Sequence, residues 1–75
     1  MEISGLTPLE RAIRIAGSEA KLAAMIGVTQ PAVNSAKRRG SVSAQMALTI
    51  DRELAPRVTK EELRPDLFPQ PVEAA

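Results

Sequence analysis

At 75 residues, with one phenylalanine as its sole aromatic and neither cysteine nor histidine, the chain has room for one small domain. It has no zinc finger, disulfide framework, thiol nucleophile or imidazole acid–base chemistry to offer. The net charge of +1 hides an asymmetry, because residues 1–50 carry six basic against three acidic residues and residues 51–75 carry four against six. A basic half suits a polyanion and an acidic half leaves a separate face for a partner, while the weak overall field keeps non-specific nucleic-acid affinity modest.

No apolar run approaches the roughly 20 residues needed to span a bilayer, and Met1 to Gly5 lacks the charge and length of a signal peptide. A cytoplasmic chain with no membrane partner is expected. Thr7-Pro8-Leu9-Glu10 reads as a capping box with proline at the first helical position. Leu9, Ala12, Ile13 and Ala16 then line one face of a first helix until Gly17 breaks it.

Glu19 to Arg39 is the informative stretch. Leu22, Ala23 and Ile26 fall at helical spacing with Met25 on the flank, and Gly27 ends that helix in a conformation that costs glycine no Cβ clash. Val28 follows, and Thr29 stands ready to cap a second helix over about 30–39. A small residue at Ala23 lets two steeply crossing helices approach, with Val33 plugging the second into the first. At 100° per residue, Ala32, Val33 and Ala36 share one side of that helix, and Gln30, Pro31, Asn34, Lys37 and Arg38 take the other. Gln30, Asn34 and Arg38 recur every four residues, aligning two amides and a guanidinium that can pair bidentately with adenine and guanine edges in the major groove. Lys37, Arg38 and Arg39 lie at the helix end, where cations suit the dipole and can reach phosphates. The same ridge would serve as the solvated face of an amphipathic helix, but the glycine turn before it favours a helix-turn-helix.

From about Ser43 to Leu54 a further helix places Ala47, Ile50 and Leu54 on one stripe with Met46 and Leu48 on its flanks, one of them free for a partner. Pro56 ends it. Thr59-Lys60-Glu61-Glu62 is a second capping box opening a short last helix, which Pro65 stops by forcing Arg64 out of helical geometry. Glu61 and Glu62, being adjacent, point apart and cannot act as a catalytic pair. Phe68 serves as core cover or as a dimer contact. The expected domain is 1–69, with 70–75 a disordered tail; there is no internal repeat.

The run from Leu22 to Asn34 resembles the helix-turn-helix of small phage Cro regulators and the related YdaS-type proteins, and Glu62 to Phe68 resembles the closing segment of their all-helical members. The resemblance spans about 6–69 and implies a dimeric repressor acting on operators, with Thr29, Gln30, Asn34, Ser35 and Arg38 at the positions that meet DNA. Two departures stand out. Ala36 replaces a large apolar residue, commonly tryptophan, and Glu19 replaces a glutamine that grips phosphate. That second change passes the phosphate contact to Ser18, Lys21 or backbone amides.

The expectation is an all-α, five-helix Cro/lambda-repressor-like domain that reads a palindromic double-stranded operator as a homodimer. Its base-reading and phosphate-binding residues are Ser18, Lys21, Thr29, Gln30, Pro31, Asn34, Ser35, Lys37, Arg38 and Arg39, and its dimer surface is Met46, Leu48, Leu67 and Phe68. No enzyme activity, cofactor, metal or small-molecule substrate is expected, since no nucleophile–base–orienter set exists. The alternative is a small antitoxin or interaction protein that masks a protein partner.

Overall fold

A computed structural model of the chain describes residues 6–69. Five helices follow one another: α1 (Pro8–Ala16), α2 (Glu19–Ile26), α3 (Gln30–Arg39), α4 (Ala44–Leu54) and α5 (Lys60–Leu63), with no strand among the described residues. The closing half is helical, as its capping box and prolines indicate. The tail expected at 70–75 lies outside the described residues.

Each helix begins where a hydroxyl satisfies an otherwise free backbone N–H. Thr7, Ser18, Thr29, Ser43 and Thr59 cap α1 to α5 in turn, and both capping boxes read from the sequence form, through Glu10 and Glu62. Arg64, ahead of Pro65, leaves the helical region at φ −136°, ψ 71°, so α5 stops after one turn.

The core gathers Leu9 and Ala12 from α1, Leu22, Ala23 and Ile26 from α2, Val33 and Ala36 from α3, and Ala47, Ile50 and Leu54 from α4. Val42 and Val58, from the loops on either side of α4, are fully enclosed with them. Helix α2 is the hub and packs against α1, α3 and α4, while α5 closes across α4 and α1. Polar contacts pin α5 in place. Arg11 Nη2 pairs with Glu62 Oε1 at 2.6 Å, and Lys60 N donates to Asp51 Oδ2 at 3.0 Å. Arg64 Nη1 donates to the Val42 carbonyl at 2.7 Å, holding the C-terminal segment against the loop that follows α3.

One expectation is corrected here. Met46 is 7% exposed and belongs to the core, so it offers no dimer surface. The buried arc of α4 is broader than the stripe Ala47, Ile50 and Leu54, because α2 and α5 cover adjacent sides of the same helix. Thr49 is buried in that arc too, and its hydroxyl donates to the Gln45 carbonyl at 2.9 Å. Leu48 projects the other way and is 43% exposed.

Candidate nucleic-acid interface

Helices α2 and α3 meet through Gly27, which sits at φ 77°, ψ 29° in the left-handed region. Its N–H donates to the Ala23 carbonyl, and the Val28 N–H reaches the same oxygen at 2.9 Å, closing α2 and turning the chain sharply. Val28 then packs against the core and Thr29 Oγ1 accepts from Ala32 N at 3.2 Å, fixing the first turn of α3 with Pro31 inside it. The second helix ends as the first does, at Gly40, over the Ala36 carbonyl.

The two sides of α3 separate cleanly. Val33 and Ala36 are fully buried and Ala32 is half-buried, whereas Gln30, Pro31, Ser35, Lys37, Arg38 and Arg39 are exposed. Gln30, Asn34 and Arg38 follow one edge of the open side at successive four-residue steps. Glu19, Gln30, Pro31 and Asn34 surround one shallow depression beside that edge, and Ser35, Arg38 and Arg39 surround another. The helix carries three cations in its last turn and no acid in its first, and among the described residues Arg38 has no ion-pair partner. Such a face offers hydrogen-bond donors and positive charge to a polyanion.

Ser18 caps α2, its Oγ accepting from Lys21 N at 3.1 Å, and the Lys21 side chain runs back along Gly17. Both stand at the N-terminal end of α2, where free backbone N–H groups favour an anion. Arg39 bends toward the chain, with Nη2 at 3.4 Å from the Ser41 carbonyl, which is a weak hold on an otherwise exposed guanidinium.

Glu19 is the residue whose role the sequence did not convey. Its Oε1 accepts from Asn34 Nδ2 at 3.3 Å and its Oε2 pairs with Lys37 Nζ at 3.2 Å, so the acid is tied to two members of the α3 ridge. The Lys37 hydrogen bond, with smaller help from Asn34 and Gln30, holds this carboxyl below the usual carboxylate range against the opposing effect of burial. The acid that stands in place of a phosphate-gripping glutamine is thus neutralised from the neighbouring helix. The available signal was the set Gln30, Asn34 and Lys37, spaced by four and three residues on one side of α3, but only the crossing of α2 and α3 brings Glu19 to it.

Beside Ala36 lies a partly open pocket of about 40 Å³, bordered among others by Leu9, Lys37, Val42 and Leu63. On the acidic half, Leu67 is 46% exposed and shares with Leu48 the availability expected of a partner surface. Phe68 is half-buried against the core with the Lys60 ammonium 6.0 Å from its ring centre. Among the described residues no helix is long and apolar enough to cross a membrane, and no His, Cys, Asp and Glu side chains cluster as a metal site.

Comparison with known proteins supplies the family. The model of a family described as bacterial toxin YdaS matches residues 9–72. The chain is also similar to the solved structure of the Cro protein from the putative prophage element Xfaso 1 in Xylella fastidiosa strain Ann-1, with a TM-score of 0.81 and 37% identity over 87% of this chain and 100% of that one. No curated protein matches it. Five helices in this order, a glycine-centred turn ahead of a polar α3, and agreement along nearly the whole length mean that the chain belongs to the YdaS-type family of small, Cro-like helix-turn-helix proteins.

Proposed function

We propose that the chain is a sequence-specific DNA-binding regulator that inserts α3 into the major groove of an operator. The observation that carries this reading is the division of α3 into a buried apolar side and an open donor-rich side. Its ridge of Gln30, Asn34 and Arg38 is long enough to follow several base pairs. Gln30, Asn34 and Arg38 read base edges, with Thr29, Pro31 and Ser35 beside them, while Ser18, Lys21, Lys37 and Arg39 hold phosphates. Repression of an operator in a phage-like setting follows from the similarity to a prophage Cro protein.

A single helix touches few base pairs, so a homodimer on a palindrome, with half-site centres about 34–36 Å apart, would double the readout. The exposed Leu48 and Leu67 supply its apolar surface.

The test separates base reading from charge. Asn34→Ala should lose roughly 1–3 kcal/mol on a duplex selected from a random pool and little on random duplex, whereas Arg39→Ala should weaken both and lower the salt slope by about one. Equal losses for Asn34→Ala on both DNAs would remove the base-reading assignment. A protein whose task is to mask another protein would instead select no duplex and fail when Leu48 and Leu67 are altered.

A further inference from the structure

We propose that Glu19 is a specificity-determining positioning residue, which locks the Asn34 amide in one orientation and so makes that side chain select adenine at a single base pair. The inference rests on the DNA-reading function above and goes a step past it.

A carboxylate has only acceptors, so the Asn34 atom 3.3 Å from Glu19 Oε1 has to be the NH2 group; turning the amide over would set the Oδ1 lone pairs against an ionised oxygen. Lys37 keeps that carboxylate ionised and stops it swinging away, since Oε2 is held at 3.2 Å while Oε1 serves Asn34. The Glu19 side chain is only 18% exposed, so it has little freedom to choose other partners. Asn34 thereby loses the ambiguity that a free asparagine has. Among the described residues no donor reaches Oδ1, and no side-chain oxygen there is both buried and unpaired, so this carbonyl remains open as an acceptor on the polar side of α3.

An outward carbonyl needs a base donor in the major groove, which adenine N6 and cytosine N4 provide and guanine and thymine do not. The amide nitrogen has a second hydrogen not spent on Glu19, and adenine alone places an acceptor, N7, beside its donor. Adenine therefore satisfies both free functions of the locked amide, and cytosine only one. A glutamine at position 19 could either accept or donate, and would let Asn34 present either edge.

Selection from a random duplex pool, followed by competition binding on single-base variants, reads this directly for wild type, Glu19→Gln, Asn34→Ala and the double variant, each checked for helix content by circular dichroism. The expected wild-type result is one position where adenine is favoured on the order of tenfold, lost in Asn34→Ala. In Glu19→Gln that preference should fall several-fold at the same position while preferences assigned to Gln30 and Arg38 stay, even though removal of a negative charge raises affinity for every duplex. In the Asn34→Ala background, Glu19→Gln should change overall affinity and no base preference. If Glu19→Gln alters affinity uniformly and leaves the adenine preference intact, Glu19 acts through charge alone and the proposal is overturned. If Glu19→Gln shifts preferences at every position together, Glu19 seats the whole helix and the proposal is equally overturned. Failure of the wild type to enrich any sequence would instead bring down the DNA-reading function, and this inference with it.

Discussion

No heavy atom lies within 4 Å of where a Cβ would stand on Gly27, so a side chain there meets backbone strain and no crowding. Gly27→Val should therefore cost about 1–3 kcal/mol, since a β-branched residue resists positive φ, and Gly27→Asn should cost less because asparagine tolerates that region. Thermal unfolding of the two variants checks the order. Asp66 offers a pH test. Its carboxyl, paired with Arg64 at 2.7 and 3.0 Å, is lowered from 3.8 to about 2, chiefly by that hydrogen-bonded pair. A depressed carboxylate pKa stabilises the fold above its unfolded value, and the contribution disappears as pH falls through the folded one. Denaturation midpoints should thus decline between roughly pH 4 and pH 2, by a modest amount because the pair is exposed, and the decline should be shallower in Asp66→Asn. At this scale the sequence was readable where one residue type answers one local demand. The caps at Thr7, Thr29 and Thr59 and the turn at Gly27 all fall where the residues indicate. Glu19 was not readable in the same way, because its partners come from another helix.

Helices reveal their limits more easily than the width of their buried faces. Caps, prolines and the breaks at Gly17 and Gly27 placed the helices, but the arc of α4 that includes Met46 and Thr49 depends on how many neighbours surround it. Periodicity shows the direction of a buried side and leaves its breadth to the packing. The pocket beside Ala36 makes the same point in reverse, since the smallness of that side chain was evident in the sequence and the space beside it is now located. Ala36→Leu should be accommodated with a stability change under about 1.5 kcal/mol, while Ala47→Leu, at a fully enclosed site, should cost roughly 1–3 kcal/mol. Urea titration of both distinguishes a spare volume from a filled one. If Ala36→Leu proves as costly as Ala47→Leu, the space beside Ala36 is not usable.

For the whole molecule, the basic end of α3 and the exposed Leu48 and Leu67 are candidate surfaces that share no residue. A dimer built on Leu48 and Leu67 leaves the ridge of α3 free, and Leu67→Asp should weaken self-association in sedimentation experiments while retaining helix content. Operator affinity should fall with it. Inserting about five base pairs between half-sites should likewise abolish tight binding by turning them to opposite faces of the duplex. Full affinity for the spaced operator would show that one chain reads DNA unaided. Fold class and the order of the helices were legible from end to end of the described residues, whereas the meeting of Arg11 with Glu62, 51 positions apart, was not. Long-range partners of that kind are set by where helix axes cross.

The Arg64 clasp on the Val42 carbonyl has a meaning in time as well as in space. Every residue of α3 is synthesised before residue 64, yet the loop that terminates α3 receives its guanidinium only from there. A nascent chain that has just delivered Gly40 has the residues of α3 without that anchor, and also without α4 and α5, whose side chains share its core. The surroundings of α3 are thus completed late in synthesis, when Arg64 arrives and fastens the loop that ends it.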